Sequence, residues 1–424
     1  MTSNGLGPRP LHSALASLLA LALSASSARA QAPPTSPAAT AIAPVTLTLA
    51  DATARALAAN PTALARALDR GIAAADLDIA RERPNPDFLY ASTRDAPTEA
   101  FVFTQPFELG WKRARRIAVG EASRAVVEAD LARDAADLSG NVRRVFYRLL
   151  AADSRATVAR ELASMAGRAR DAAKARVDSG DAPRLDQVQA DLVLARASNL
   201  AAMASGERAA LESELDALVG LPSGTPLVVT GDLFSDGLAV ASTPTGPAGP
   251  ANVDIAAAVR RTAAAAAAVD LARAQRVPDV ALEGGLTYHA PPDFTYGWKA
   301  GFALTVPLFT THRAEVVRAE QVALQAARLQ TATGADLDGR LAAAARRTAV
   351  LAEAVRRTTR DILPAAATVT DMAQASYESG QTGMVSLIQS LQTVAETRLE
   401  AVETALSFQL ALADLERARG VTLP

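Results

Sequence analysis

The feature that most constrains this chain is an internal repeat, because much of the sequence pattern of the first half recurs in the second half. The segment DIARERPNPDF (78–88) returns as DLARAQRVPDV (270–280), with five identical residues at an offset of 192. The segment VDSGDAPRLDQVQ (177–189) returns as YESGQTGMVSLIQ (377–389) at an offset of 200. Self-similarity at a fixed spacing is the signature of one structural unit used more than once. We therefore predict two copies of one arrangement of helices and strands.

A strand-to-helix junction lies between these two matches and is also repeated. FVFTQPFELGWKR (101–113) aligns with FALTVPLFTTHR (302–313) at an offset of 201. Before each proline, bulky apolar residues alternate with smaller or polar ones, as in a barrel strand between lipid and a lumen. A soluble hairpin packed on a helix is the alternative that this pattern leaves open. We expect the prolines to end the strands and the basic residues to lie at the membrane boundary. These junction residues are Pro106, Lys112, Arg113, Pro307 and Arg313.

Each half is predicted to hold a helix, two strands, a long helix and a return helix, in that order. The chain is 50% hydrophobic but only 4% aromatic, and alanine, the best helix former, is abundant, so helix should dominate. The predicted helices are 49–82, 112–178, 184–219, 252–276, 313–378 and 384–419. The predicted strands are 86–93, 99–107, 279–289 and 298–309. The predicted fold class is therefore mainly α with a small β part.

Both long helices show the spacing of a coiled coil. Apolar and small residues step by four and three from Leu138 to Ala166 and from Leu337 to Val355, which places them along one seam. A helix of about 66 residues is a rod of about 100 Å. Pro364 interrupts the second long helix and is expected to kink it, because proline has no backbone N–H to donate.

The first thirty residues read as a targeting segment. Arg9 supplies positive charge, LHSALASLLALALSA is a mostly apolar run, and Ala28-Arg29-Ala30 is a cleavage signal. This run is shorter than the ~20 residues of a membrane anchor, and no later segment reads as a transmembrane helix. The predicted division is a signal peptide at 1–30, a disordered leader at 31–46, a first repeat at 47–220, a Pro/Gly-rich linker at 221–250 and a second repeat at 251–424.

Composition argues against several function classes. The chain has no cysteine, which excludes disulfides, thiolate metal sites, a cysteine nucleophile and an acylated N-terminal cysteine. A net charge of −2 gives no basic footprint for nucleic acid. Three histidines without partners at ligand spacing do not predict a metal site. No catalytic motif is present, so neither an enzyme nor a cofactor is expected.

The number of strands predicts the assembly. Four strands cannot close a barrel, and open strand edges are not tolerated in lipid because their backbone groups would be unsatisfied. Other copies of the chain must complete the edges. Three copies would give twelve strands above a pseudo-sixfold set of helices, so we expect a homotrimer.

LAANP (57–61), ARERPNPDF, QPFELGWKR, the turn VDSGDAP and the second copy together resemble the TolC-like outer-membrane efflux factors over about residues 47–420. QPFELGWKR is more specifically similar to the branch paired with heavy-metal exporters of the cobalt–zinc–cadmium class. The resemblance implies a homotrimeric channel-tunnel of a Gram-negative bacterium, with a β-barrel in the outer-membrane lipid and a helical cylinder in the periplasm. It also implies two partners, a periplasmic adaptor and an inner-membrane pump of the RND type. A periplasmic adaptor or an exported coiled-coil scaffold is the alternative, since either would also use long helical hairpins.

The resemblance also assigns roles to the two glycine turns and to the residues that follow them. The turns would be the periplasmic tips that meet the adaptor; they contain Gly180, Asp181, Ala182, Pro183, Gly380, Gln381, Thr382 and Gly383. The gate candidates, one or two turns further on, are Asp186, Gln189, Ser386 and Gln389. Some relatives close this end with acidic rings. Ser386 and Gln389 are neutral, so any gate charge here would come from Asp186.

Overall fold

The computed structural model describes residues 44–239 and 252–420. The predicted signal peptide, most of the predicted leader and part of the predicted linker lie outside these ranges. The first half contains β1 (Val45–Leu47), α1 (Leu49–Ala59), α2 (Pro61–Ala67), α3 (Asp69–Arg81), β2 (Asp87–Ser92), β3 (Glu99–Phe107), α4 (Lys112–Asp178), α5 (Arg184–Val219) and β4 (Leu227–Val229). The second contains α6 (Val253–Ala274), β5 (Asp279–Ala290), β6 (Phe294–Thr305), α7 (Arg313–Arg357), a π-helical segment (Thr358–Ile362), α8 (Leu363–Glu378) and α9 (Met384–Arg419).

The first helical region is broken where a single helix was predicted at 49–82. Asn60 interrupts it, and its side-chain oxygen accepts hydrogen bonds from the Thr62 and Ala63 amides at 3.0 and 3.1 Å. Pro61 then occupies the first position of α2, where its missing N–H costs nothing. The prediction of one continuous helix is wrong here because an N-cap followed by proline starts a new helix.

The second long helix is also interrupted, as Pro364 predicts. The π-helical segment Thr358–Ile362 ends two residues before this proline, and the Leu363 amide donates to the Thr358 carbonyl across a widened turn. Proline cannot donate to the carbonyl four residues earlier, and its ring excludes that carbonyl, so the turn opens locally. The other long helix, α4, runs unbroken for 67 residues, about 100 Å.

The four main strands form one antiparallel sheet in the order β2-β3-β5-β6. Pairing of β3 with β5 joins the two repeats, and Phe101 lies opposite Leu286 across this join. The predicted bounds of β3, 99–107, agree with the structure, but the expected role of Pro106 and the bounds of β6 need correction. Pro106 lies inside β3, opposite Ala281, and does not end it. β6 ends at Thr305, two residues before Pro307, and starts earlier than predicted, at Phe294.

A short parallel pair, β1 with β4, was not predicted. Val45 lies opposite Leu227 and Leu47 opposite Val229, so the start of the described chain is tied to the segment after α5. Strand β1 overlaps the end of the predicted leader, and β4 lies in the predicted linker. Three-residue strands are too short for an alternation signal, which explains why sequence periodicity missed them.

The core lies where the long helices pack together. Helix α4 packs against α5, α6 and α9, and α7 packs against α6 and α9. Phe146 of α4 and Phe408 of α9 are both fully buried at the centre of this layer. The predicted seam is buried at Val142, Val145 and Leu149, and small alanines continue it toward the tip. Within the described residues, no helix combines the length and apolar character needed to span a bilayer.

In both repeats, an asparagine at a helix start bonds to the end of a return helix in the same way. Asn60 donates from its side-chain nitrogen to the Leu218 carbonyl at the end of α5, at 3.0 Å. Asn252 donates in the same way to the Ala418 carbonyl near the end of α9, at 2.9 Å, while its oxygen accepts from the Asp254 amide. Each asparagine thus satisfies a donor at one helix start and an acceptor at another helix end.

Candidate functional site

One face of the four-stranded sheet, here called the aromatic face, consists of large apolar side chains. Phe101 lies at its centre, with its ring centroid 4.9 Å from that of Tyr90 and 6.0 Å from that of Tyr288. Trp298 and Phe302 on β6 are 75% and 74% exposed in the single chain. The register places these residues together on this face: Phe88, Tyr90, Phe101, Phe103, Leu282, Leu286, Tyr288, Tyr296, Trp298, Phe302 and Leu304.

The opposite face, here called the polar face, consists mostly of small side chains. It presents Leu89, Ala91, Ala100, Val102, Thr104, Ala281, Glu283, Gly285, Thr287, Gly297, Lys299, Gly301 and Ala303. Away from the strand ends, the sheet holds two fully charged residues, Glu283 and Lys299, and both lie on this face. The alternation that the sequence predicts for Phe101 to Thr104 is therefore present on β3, β5 and β6, whereas β2 places a large apolar residue, Leu89, on this face as well.

The junction residues link the sheet to the helices. The Lys112 ammonium lies 2.7 Å from Asp279 Oδ2, which ties the start of α4 to the start of β5. Arg113 donates from its guanidinium to the Arg81 carbonyl at 2.6 and 2.8 Å, which ties α4 to the end of α3. Arg313 begins α7 in the equivalent place. Lys112 is thus mostly enclosed in an ion pair, with a side chain only 12% exposed.

The junction is also surrounded by exposed apolar residues that sequence reasoning did not single out. Trp111 is 81% exposed, Leu308 72% and Phe309 100%. Trp111 and His312 precede α4 and α7 with left-handed backbone angles, φ 63° and 53°, so the two repeats start their long helices alike. Aromatic residues next to a basic helix start are typical of membrane–water interfaces, and this combination could have been noticed in the sequence.

Both predicted tips are turns of the same type. In the first, the Gly180 amide donates to Val177 at 3.1 Å and the Asp181 amide to Arg176 at 2.8 Å. In the second, Gly380 donates to Tyr377 at 3.0 Å and Gln381 to Ser376 at 2.9 Å. This pair of bonds is the Schellman pattern, which needs a left-handed residue. Gly180 and Gly380 supply it with φ of 84° and 75°. Ala182, Pro183, Thr382 and Gly383 complete the two turns.

The structure brings the two tips together. A small apolar cluster joins them, consisting of Ala173, Ala190, Tyr377, Met384, Leu387 and Leu391. The Arg176 guanidinium lies 5.8 Å from the centre of the Tyr377 ring, a cation–π distance. Among the gate candidates, Asp186 and Gln189 are partly exposed, whereas Ser386 and Gln389 are exposed. Both pairs start a return helix beside a turn, as the spacing predicts.

Sequence reasoning missed a buried polar group at the joint between the repeats. Arg143 of α4 forms an ion pair with Glu416 of α9, and both side chains are at most 10% exposed. The Arg143 guanidinium lies 5.5 Å from the Tyr147 ring centre, and the Tyr147 hydroxyl bonds Asp236 Oδ2 at 3.3 Å. Burial raises the pKa of Tyr147 to about 12. The arginine, tyrosine and glutamate lie on helix faces of ordinary composition, so only the three-dimensional packing identifies them.

The equivalent acid of the first repeat has a different environment. Asp216 is inaccessible to solvent, and its carboxylate oxygens make no hydrogen bond of standard geometry within the described residues. Burial raises the pKa of Asp216, and the Gly224 backbone amide opposes that shift more weakly. The described residues contain no group of three or more His, Cys, Asp or Glu side chains that could hold a metal ion.

Within residues 44–239 and 252–420, the outermost helices and strands have neighbours on one side only. The sheet ends at β2 and β6, and the helical layer ends at α5 on one side and at α7 and α8 on the other. Leu185, Val188 and Leu192 share one face of α5 and are 62%, 57% and 52% exposed. Val350 of α7 and Met372 of α8 are 69% and 65% exposed. These edges are apolar surfaces of the kind that normally packs against another chain.

The described chain consists of two long helical hairpins on a four-stranded sheet with one aromatic face, and solved outer-membrane channels have a similar fold. Comparison with solved structures agrees: the chain is similar to the CmeC outer membrane channel of Campylobacter jejuni, with a TM-score of 0.74 at 15% identity. That similarity covers 88% of this chain and 85% of CmeC.

Sequence comparisons show similarity to a family model and to individual relatives. Residues 250–421 match the family model described as outer membrane efflux protein. The chain is 29% identical to the nickel-cobalt-cadmium resistance protein NccC of Alcaligenes xylosoxydans xylosoxydans, over 65% of each chain, slightly under two thirds of that relative. It is 26% identical to the cobalt-zinc-cadmium resistance protein CzcC of Cupriavidus metallidurans, over 76% of this chain and 77% of CzcC. The resemblance to the TolC-like outer-membrane efflux family is confirmed by this match and by these relatives. The adaptor alternative finds no support in these comparisons.

Proposed function

We propose that this protein is the outer-membrane channel of a tripartite efflux system. The observation that carries the proposal is the pairing of duplicated helical hairpins with a sheet whose aromatic face is exposed in the single chain. A soluble protein would bury such a face, whereas a barrel in lipid presents it outward. The polar face would then line the lumen.

The channel is a homotrimer in this proposal. Edges β2 and β6 carry unpaired backbone groups, which lipid does not tolerate, so each must pair with another copy. Three copies make a twelve-stranded barrel. The exposed apolar face of α5, with Leu185, Val188 and Leu192, packs against α7 and α8 of the next copy and closes the helical cylinder.

The placement in the cell follows from the same surfaces. Signal peptide 1–30 directs export, and the absence of cysteine leaves no site for N-terminal cysteine acylation. Trp111, Leu308 and Phe309 lie at the periplasmic surface of a Gram-negative outer membrane, where lipid meets water and aromatic side chains are favoured. The tips at Gly180 and Gly380 then lie in the periplasm, about 100 Å away. There they contact the adaptor, which connects them to an inner-membrane pump of the RND type.

The proposed cargo is a heavy-metal cation, by analogy with the metal-resistance relatives NccC and CzcC. The cation passes through without a resident metal site. The proposed gate is at the first turns of α5 and α9, where Asp186 carries the charge and Gln189, Ser386 and Gln389 contribute polar, neutral side chains.

Two measurements on the native host test this function. Separation of inner and outer membranes should place the protein in the outer-membrane fraction, resistant to salt extraction. Deletion of its gene should lower tolerance to nickel, cobalt, zinc or cadmium, and the wild-type gene should restore that tolerance. A protein found in the soluble periplasm contradicts the channel, whereas unchanged tolerance to all four metals contradicts only the cargo.

A further inference from the structure

The polar face of the sheet carries two opposite charges whose positions are fixed by the strand register. Glu283 of β5 lies opposite Gly301, and Lys299 of β6 lies opposite Gly285. The two charges are therefore displaced by two residues along the strands, about 7 Å. Because β5 begins at the helices, Glu283 is nearer the helical end and Lys299 is nearer the far end.

These two side chains extend beyond their neighbours on the polar face. Glu283 is surrounded across the strands by Thr104 and Gly301, and Lys299 by Gly285. A Cβ atom added to Gly285 would lie 3.0 Å from Lys299 Cε and 2.6 Å from the Phe101 carbonyl oxygen, so glycine leaves the space that the lysine stem occupies. Neither residue forms an ion pair within 4.0 Å in the described chain. Both charges are therefore available to a passing ion.

From this arrangement we propose that Glu283 and Lys299 form two charged layers that set the ion selectivity of the barrel. The inference rests on the proposed trimeric channel, in which each layer contains three copies. A cation arriving from the helices meets the acidic layer first, which raises its local concentration. The basic layer beyond it weakens retention and favours exit, since conduction requires binding that is not too tight.

The size of a twelve-stranded barrel makes such layers effective at moderate salt. Strands about 4.8 Å apart and tilted by about 40° give a backbone diameter of about 24 Å, and side chains narrow the lumen further. The layers then lie within about 8 Å of the axis, which is close to the Debye length at physiological ionic strength. Removing one layer should therefore change the cation-to-anion permeability ratio by about threefold or more at ~0.15 M salt.

The test compares purified trimers in planar lipid bilayers under a potassium chloride gradient. Glu283→Gln should shift the reversal potential toward anion preference, and Lys299→Gln should shift it toward cation preference. Both shifts should shrink in ~1 M salt, where the Debye length is about 3 Å. Glu99→Gln is the matched control, because Glu99 lies on the aromatic side of β3, opposite Tyr288, and its neutralisation should leave the ratio unchanged.

The outcomes separate this inference from the proposed function. Wild-type protein that forms no conducting pore contradicts the channel itself. Conducting pores in which Glu283→Gln and Lys299→Gln leave the ratio unchanged, or shift it in one direction, overturn the charged layers alone. An equal shift in Glu99→Gln overturns the assignment of faces. If Glu283→Gln does not assemble, the Lys299→Gln shift toward cations still decides the question.

Discussion

Asp216 and Glu416 are buried acids at equivalent positions of the two repeats, and they allow a matched perturbation. Each lies in the last turn of its return helix and accepts from a glycine amide, Gly220 or Gly420, through its backbone carbonyl. Glu416 is paired with buried Arg143, whereas Asp216 has no cation within ion-pair distance in the described residues. The substitutions Glu416→Gln and Asp216→Asn replace each acid by its neutral amide in these two environments.

Opposite effects are expected from the two substitutions. Glu416→Gln leaves the Arg143 guanidinium buried without its carboxylate, and breaking a buried pair in this way costs about 3–5 kcal/mol of unfolding free energy. Asp216→Asn removes a desolvated carboxylate and should be neutral or stabilising at pH 7. A double variant, Arg143→Met with Glu416→Leu, should recover much of the loss, because apolar residues of similar volume can replace a buried pair.

The pH dependence gives the Asp216 prediction a definite sign. Burial raises the pKa of Asp216, so the folded state holds its proton at pH values where the unfolded carboxyl, with an ordinary pKa of 3.8, is already ionised. Below that pKa, Asp216 therefore does not reduce the free energy of unfolding of the wild-type protein. As the pH rises above it, Asp216 lowers that free energy progressively. The advantage of Asp216→Asn should grow as the pH rises above 3.8.

Urea unfolding of detergent-solubilised protein, followed by far-ultraviolet circular dichroism, measures these differences. The reasoning fails if Glu416→Gln is as stable as the wild type, or if Asp216→Asn loses several kcal/mol at pH 7. It also fails if the double variant is no more stable than Glu416→Gln alone, since the cost would then come from packing and not from the separated charge.

Three further predictions concern the Tyr147 hydroxyl, the two glycine turns at the tips and the two faces of the sheet. Wild-type protein should lose stability between pH 10 and about 12, because the folded Tyr147 keeps its proton with a pKa of about 12 while the unfolded phenol ionises at 10.0. Tyr147→Phe should lose less across that window in alkaline unfolding curves, and equal losses would contradict it. Gly180→Val and Gly380→Val force a β-branched residue into a left-handed turn and should impair efflux with trimers intact, whereas Gly→Asn at either site should be milder; unchanged efflux in both valine variants would place adaptor docking elsewhere. Phe103→Arg on the aromatic face should cost about 2–4 kcal/mol near the bilayer midplane and reduce insertion. Thr104→Arg on the polar face should assemble normally and alter conductance, and identical behaviour of the two would show that the faces are misassigned.

Much of the fold was predictable because long elements carry strong periodic signals. The bounds of α4, α5 and α9 agree with prediction, since dozens of residues contribute to each pattern and a glycine marks each helix end. Prediction failed where a local cap interrupts a periodic pattern and where pairing is long-range. At Asn60 a cap and a proline overrode a helical pattern that continues on both sides. The pair β1–β4 depends on contacts between segments far apart in sequence, which no local pattern encodes.

The candidate site shows the same division. The tips could be predicted because left-handed glycines at Gly180 and Gly380 have a local signature. The Arg143–Glu416 pair could not, because arginine and glutamate on a helix are ordinarily solvated, and only the packing of α9 on α4 buries them. The charged residues Glu283 and Lys299 acquire meaning only from the strand register, which places both on the polar face. The trimeric assembly predicts that this face lines a lumen.

The assembly is the central claim, and the native mass of the full-length expressed protein in detergent tests it most directly. Open edges at β2 and β6 and the exposed apolar face of α5 predict a complex of three chains that persists in detergent. Val188→Glu, which places a charge on that face, should lower the trimer fraction, whereas Asp186→Asn at the neighbouring tip should not. A folded protein with the mass of a single chain, stable in detergent and indifferent to Val188→Glu, would contradict the trimeric channel.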